Sequence, residues 1–442
     1  MNELFGKGMG LYIHIPFCVS KCGYCDFLSF DGAGADVHQR YVRALLAEMR
    51  GLRAAFGVVS SNRKADIYAG DDVGAASCRL GFGMHPTSGG RMPPLHVHNY
   101  SSPGKCPVSI DTVYIGGGTP TTLPSPLLCE ILREVRRFNL APGAEITLEM
   151  NPCTNSLSGL ADYARLGVNR LSIGLQAWQD EFLTRLGRAH TSREFTQTMN
   201  AARAAGIGNI NVDLMFGLPG QTMAHWQESI ARAIAHGPQH ISAYSLTPAE
   251  NTLLWEQLEA GRAVLPSEDL DRAMYHEAIR ALAVAGYGHY ELSNFAWPGQ
   301  ESRHNVDCWS RKPYVGLGLG AHSFDGERRW NNTLDMGRYL RACREDTADF
   351  GAGGWASPAC EEMEVLSAGD AMAEFMFLGL RMIKGVSPQE FLRSFGQHLS
   401  DIYGRELEML TAKGLITCTP DRVALTALGL DLANQVFAAF LG

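Results

Sequence analysis

The chain has 442 residues, 45% hydrophobic and 19% charged, with a formal charge of -8. That make-up suits a soluble globular protein with one large and one smaller domain, and it argues against a surface built on phosphate contacts to nucleic acid. No stretch reaches the ~20 apolar residues of a membrane span and the start lacks a signal-peptide pattern, so a cytoplasmic protein with reduced cysteines is expected.

In chain order, residues 11–15 form a short apolar run that reads as a strand, ended by Pro16, which cannot donate to a ladder. Directly after it come Cys18, Cys22 and Cys25. Three thiols in one short loop suit an iron–sulfur cluster, and a three-thiolate loop leaves one metal position open. Structural zinc wants a fourth Cys or His, usually from a second pair, and no such pair follows. A disulfide suits neither the odd count nor the compartment.

Over 36–56 the apolar residues Val37, Tyr41, Leu45, Met49, Leu52 and Phe56 recur at helical spacing, with Asp36 as N-cap. From 57 to 109 periodicity is lost among Gly, Ser, Pro and Asn, which reads as a flexible insertion. It carries His85, His96 and His98, a metal or heme pair on one reading and solvated loop histidines on the plainer one. Strand-like runs then appear at 112–115, 145–150, 170–175, 209–216 and 240–246, alternating with helical runs at 127–138, 157–166, 193–205 and 223–235. With the first strand this makes an incomplete (β/α)6 barrel of α/β class, in which function gathers at the C-terminal strand ends.

Those ends carry a glycine loop at Gly116, Gly117 and Gly118 followed by Thr119, then Glu149, Gln176 and, a little later, Arg188, with Asp213 inside the fifth strand. Glycines let a backbone approach a ligand and expose its amides. Taken singly, each feature has a plain structural reading as a turn or a hydrogen-bond acceptor.

Further on, 269–285 reads as a helix opening a linker region over 251–362, and 347–358 as a loop. Helices over 371–380, 388–395 and 403–413, a hairpin of 414–418 with 422–425, and a closing helix over 428–440 make a small α+β, winged-helix-like domain at 363–442. It lacks a Lys/Arg-rich face, so a lid or protein-contact role is expected rather than DNA binding.

The spacing Cys18-x3-Cys22-x2-Cys25 with Tyr24 before the last cysteine, the flanking Tyr12-Ile-His-Ile-Pro-Phe, the Gly-Gly-Gly-Thr-Pro-Thr loop and Asp213-Leu-Met-Phe-Gly-Leu-Pro resemble the radical S-adenosylmethionine (SAM) superfamily. They look like its branch containing oxygen-independent coproporphyrinogen III oxidase and the heme chaperones. The likeness covers nearly all of the chain, with residues 1–250 as the barrel core, except the insertion. It implies a [4Fe–4S] cluster on the three cysteines, SAM on the fourth iron, and SAM contacts at Tyr12, Tyr24, Gly117, Gly118, Thr119, Glu149, Gln176, Arg188 and Asp213. It also separates the two activities. The oxidase carries a further cysteine two residues beyond the third, where this chain has Phe27, and a long segment ahead of the loop, which here begins at Tyr12.

His304-Asn-Val-Asp-Cys308-Trp309 resembles the chaperone signature, with Cys308 in place of its Tyr. The resemblance therefore implies heme as cargo, His304 as its first candidate ligand and Cys308 as its second, since imidazole and thiolate both ligate heme iron. Packing between domains is the alternative role for His304 and Trp309, and His322 is as well explained as a structural histidine. Acceptor hemoproteins, respiratory and at the membrane face, follow from the same likeness, and a homodimer is compatible with it. The rivals are the oxidase itself and a non-catalytic metal-cluster regulator.

Overall fold

The computed structural model describes residues 8–57, 108–152, 154, 157–344, 350 and 354–441. The expected insertion, with its three histidines, thus lies outside the described residues except at its ends, as does much of the 347–358 loop. Twelve strands form the main sheet: β1 (Met9–Ile15), β2 (Ile110–Gly117), β3 (Leu140–Met150), β4 (Arg170–Gln176), β5 (Asn209–Phe216), β6 (His240–Ser245), β7 (Gly288–Glu291), β8 (Asn294–Ala296), β9 (Tyr314–Leu317), β10 (His322–Phe324), β11 (Arg328–Asn332) and β12 (Cys360–Val365). Their order is β12-β11-β10-β9-β1-β2-β3-β4-β5-β6-β8-β7. From β9 through β6 all neighbours are parallel, and the outer strands are antiparallel.

The expected parallel (β/α) core is therefore present. Leu11, Ile13 and Ile15 of β1 are fully buried and share one core with Tyr41, Leu45, Met49 and Leu52 of α1 (Ala35–Gly57). Alternation puts the polar set, Tyr12 and His14, on the opposite, inner face. The same period places Thr112, Tyr114, Glu145, Thr147, Glu149, Arg170, Ser172, Asn211 and Asp213 inside. Register links them laterally, with Tyr12 beside Tyr114, Thr147 beside Arg170, and Glu149 beside Ser172. A polar barrel interior is unusual for a protein core, and it marks space reserved for polar ligands.

Four expectations are corrected. Asp36 is not an N-cap but lies inside the first turn of α1, where it accepts a hydrogen bond from Arg40 at 3.0 Å. The stretch 251–362, expected as a linker and heme-motif region, supplies β7 to β11 and the start of β12, which extend the sheet at both edges. The helix expected over 403–413 starts at Leu399 and bends at Tyr403. The closing helix is two pieces, Ala427–Asp431 and Ala433–Ala438, broken at Leu432, whose φ of -117° is not helical.

The C-terminal unit has its own apolar core of Met376, Leu380, Val386, Phe391, Leu410, Val423 and Val436. Its hairpin pairs Ile416–Cys418 with Val423–Leu425, and Val386 makes an isolated antiparallel bridge to Val423. The unit is fastened to the sheet by Glu374, whose buried carboxylate takes Arg311 at 2.9 Å and Arg329 from the other side. Arg381 lies over the Trp309 ring at 4.3 Å. No described helix is long and apolar enough to cross a membrane.

Candidate cofactor site

The cysteine loop leaves β1 and is closed by a two-residue parallel pairing of Phe17–Cys18 with Phe30–Asp31. Its middle is pinned on both sides: the Gly23 amide donates to the Leu186 carbonyl at 3.2 Å, and the Gly23 carbonyl accepts from Leu254 at 2.7 Å. Tyr24 packs on a small apolar cluster of Phe182, Leu183, Leu186, Met215, Leu218 and Leu254. The loop is thus held by backbone bonds and one aromatic anchor, and its three thiols stay partly exposed and unpaired as disulfides.

Two of the three sulfurs have side-chain partners from outside the loop, and the Phe27 backbone amide faces the third, Cys25. Thr119 Oγ1 lies 3.7 Å from Cys18 Sγ, and Arg188 Nη1 donates to Cys22 Sγ at 3.7 Å. Arg188 is fixed by donating as well to the carbonyl of Gly174 and to Asn151, whose amide in turn donates to Thr119 Oγ1 at 2.8 Å. One hydrogen-bonded chain therefore joins two cysteines to the glycine loop and β4. Burial pushes the Cys18 and Cys25 thiols up, which disfavours free thiolates there, and a bound metal would favour them.

The glycine loop is shaped by contact rather than by flexibility. Gly117 has φ +115°, and a Cβ there would meet the His14 ring at 2.6 Å. That ring is itself locked, since Nε2–H donates to the Leu28 carbonyl at 3.1 Å and Nδ1 accepts from the Tyr12 hydroxyl at 2.9 Å. A Cβ at Gly116 would sit 2.8 Å from the Glu149 carboxyl. Glu149 accepts from the Tyr114 hydroxyl at 2.7 Å and the Gly117 amide at 3.1 Å, and burial raises it to about 7. Asp213 accepts from Ser172 and from Asn211, and burial raises it too. Gln176 ends β4 after a bulge, at φ +69°, with its side-chain oxygen accepting from Tyr244 at 3.0 Å. A non-glycine residue in that region is strained by ~1–3 kcal/mol, which is typical of a position shaped for ligand contact.

The expected rim residues thus come together at the C-terminal end of the parallel strands. Among the described residues no three His, Cys, Asp or Glu side chains close on a single point as a mononuclear site requires. Thiolates of an iron–sulfur cluster bind separate irons and need no such convergence, so the donor set fits a cluster better than zinc.

The heme candidates lie elsewhere. His304, on the short helix α2 (Arg303–Trp309), is buried at the opposite end of the barrel, its Nδ1 hydrogen-bonded to Thr112 Oγ1 at 2.9 Å and its backbone amide donating to Glu145. Thr112 and Gly117 are five steps apart on β2, roughly 16 Å along a strand. Its ring packs on Tyr114, and burial lowers it to about 4. Burial pushes the Cys308 thiol up to about 12, so it is a neutral thiol at neutral pH. His322 is exposed on β10. In this arrangement His304 closes the barrel floor and Trp309 meets the C-terminal unit. Pattern reading missed His14, Asn151, Arg170 and Tyr244, although inward alternation along the strands would have indicated all but Asn151.

Residues 105–233 match the radical SAM superfamily and residues 366–432 match the HemN C-terminal domain. A relative from Bacillus subtilis (strain 168), described as heme chaperone HemW, is 32% identical over 434 residues and covers 98% of both chains. Another from Escherichia coli (strain K12), with the same description, is 32% identical over 435 residues and also covers 98% of both. The solved structure of coproporphyrinogen III oxidase (HemN) from Escherichia coli, a radical SAM enzyme, aligns with TM-score 0.74 over 98% of this chain and 90% of that one, at 19% identity. At that identity the likeness shows the shared fold. Barrel, rim and matches together define a radical SAM protein, a class that implies a [4Fe–4S] cluster and SAM as cofactors. Within that class, the chain belongs to the heme chaperone HemW family.

Proposed function

We propose that this protein is a heme chaperone built on a radical SAM barrel, which holds a [4Fe–4S] cluster and SAM, binds heme as cargo and delivers it to acceptor hemoproteins. The observation that carries the cofactor reading is the gathering of three thiols, a glycine cradle and two half-buried carboxylates on one rim. In this reading Cys18, Cys22 and Cys25 ligate three irons and leave the fourth to the amine and carboxylate of SAM. Tyr12, Tyr24, Gly117, Gly118, Thr119, Glu149, Gln176, Arg188 and Asp213 shape the SAM site. When bound, the cluster supplies one-electron reductive chemistry at the SAM sulfonium.

The chain's own groups then have definable tasks. Thr119 and Arg188 donate to cysteine sulfurs and so tune the cluster's potential. Glu149 and Asp213 offer acceptors to hydroxyl and amine donors, Tyr244 orients the Gln176 amide, and the Gly116–118 backbone leaves room that a Cβ would fill.

Heme as cargo rests on the full-length likeness to relatives described as heme chaperones. Phe27, 66% exposed on the cluster loop where the oxidase has a further cysteine, supports the chaperone over the oxidase. Thr112 holds only Nδ1 of His304, but the ring is buried, so ligation by it or by Cys308 would need a rearranged state that opens the barrel floor. The acceptors we have in view are respiratory hemoproteins, with the protein cytoplasmic and peripheral at the membrane face.

Heme titration of the cluster-reconstituted protein, beside an anaerobic coproporphyrinogen assay, tests the reading. Stoichiometric heme binding without sustained protoporphyrinogen formation is expected, and steady turnover would establish the oxidase instead. Iron and sulfide analysis that returned zinc without iron would overturn the cofactor assignment. His304→Ala should weaken heme binding if that ring is a ligand, and unchanged affinity removes it from the site.

A further inference from the structure

Arg170, the first residue of β4, is 2% exposed. Its Nε has no hydrogen-bond partner, and none of its nitrogens pairs with a carboxylate among the described residues. A buried guanidinium without a counter-ion in contact is costly, and it persists when other charges in the same low-dielectric space offset it.

Register shows which charges those are, besides buried Glu145, which flanks Thr147 on the same inner face of β3 but on the side away from the rim. Arg170 sits beside Thr147 of β3 and Asn209 of β5. Two residues further along β4, Ser172 stands beside Glu149, and two further again Gly174 stands beside Asp213. Residues two and four apart on a strand share a face, and each such step is ~7 Å, about what an arginine stem spans. Both carboxylates therefore stand above Arg170 on the barrel's inner face.

The other basic groups near the rim are engaged: Arg188 donates to Cys22, Asn151 and the Gly174 carbonyl, and both ring nitrogens of the neutral His14 are hydrogen-bonded. Besides Arg170, Glu149 faces Tyr12, Tyr114, the Gly117 amide and Asp213. Asp213 faces Ser172, Asn211, Ser242, Tyr114 and Tyr244. Among the described residues, Arg170 is the cation common to both sets.

We propose that Arg170 is a positioning residue of the cofactor site: its charge keeps Glu149 and Asp213 ionised, so that both present acceptors to the hydroxyl and amine donors of SAM. The inference rests on the SAM reading above and extends it to a residue that no motif marks. Burial drives both carboxyls toward the neutral form, and Arg170 opposes that drive at each. A neutral Glu149 would gain a proton to donate and lose an acceptor, which the SAM hydroxyls need.

The test uses the full chain with Arg170→Met and Arg170→Lys. Difference infrared titration reads the Glu149 carboxyl directly, its band assigned with Glu149→Gln. Loss of the cation should move its midpoint up by about one pH unit, roughly tenfold less carboxylate at a given pH below the midpoint. The acid limb of SAM affinity, measured by equilibrium dialysis on cluster-reconstituted protein, should move up with it, while iron content stays at the wild-type level. Arg170→Lys should restore both. A Glu149 midpoint that stays put in Arg170→Met, or a SAM pH profile the same in both variants, overturns the proposal. Should Arg170→Met not fold, Arg170→Gln carries the same comparison. If the wild type binds no SAM at any pH, the cofactor reading fails, and the infrared midpoints still decide whether Arg170 governs the carboxylates.

Discussion

Replacing Gly117 by alanine tests whether the glycine loop is a rigid cradle or an ordinary turn. Two penalties apply. At φ +115° an L side chain is strained by ~1–3 kcal/mol. The new Cβ would also lie 2.6 Å from Cε1 and 2.7 Å from Nδ1 of His14, against ~3.5–4.0 Å for a comfortable contact. The imidazole cannot swing away freely, because Tyr12 and the Leu28 carbonyl hold both nitrogens, so overpacking adds ~1–3 kcal/mol. Alanine's smaller unfolded-state entropy returns ~0.4–1 kcal/mol. The net expectation is a loss of about 2–5 kcal/mol in urea unfolding, a large share of a typical ~5–15 kcal/mol.

If the strain is relieved by moving His14 instead, the Leu28 contact breaks and the cysteine loop loosens. Reconstituted iron content should then fall even where stability is spared. A variant within ~0.5 kcal/mol of wild type, with full iron content and unchanged SAM affinity, would show the cradle argument to be wrong.

Glu149→Gln should flatten the pH dependence of stability. The folded carboxyl is raised from 4.5 to about 7, so its contribution is fully present below about pH 4.5 and is lost as pH rises through about 7. Roughly 3 kcal/mol of that slope should vanish in the variant, as read by denaturant midpoints across this window. Glu48, fully buried, accepts from the Gly318 amide, Asn332 Nδ2 and the Tyr339 hydroxyl at 2.8, 2.8 and 2.7 Å. Glu48→Ala leaves those donors unpaired and should destabilise by ~3–5 kcal/mol, with Glu48→Gln costing less. Cys22→Ala should abolish the cluster's visible absorbance while circular dichroism stays native, because that side chain is only partly buried and supports no core. Retained absorbance would remove Cys22 from the ligand set.

The long parallel strands and their helices were legible because each buries one face and shows a clean period over many residues. The helix Met223–Ala235 begins and ends where its pattern does. β7 to β12 were missed for the converse reason. They run three to six residues, too short for a period to stand out, and Cys360–Val365 is largely exposed, so its alternation carries little hydrophobic contrast. The break at Leu432 has no Gly or Pro to announce it.

The site divides in the same way. Local sequence sufficed for the three cysteines and the glycine loop, because ligation geometry and close backbone approach impose residue types at fixed short spacings. Glu149, Gln176, Arg188 and Asp213 could be picked out at the strand ends, but only a resemblance gave them a role, since each is an isolated polar residue whose partners are distant in the chain. Tertiary structure alone decided that Arg188 reaches Cys22, that His14 sets the space over Gly117, that Arg170 lies beneath two carboxylates, and that His304 is enclosed at the far end of the barrel. Those facts depend on which inward residues the sheet's register sets side by side, and register is fixed by packing of the whole barrel rather than by any one stretch of chain.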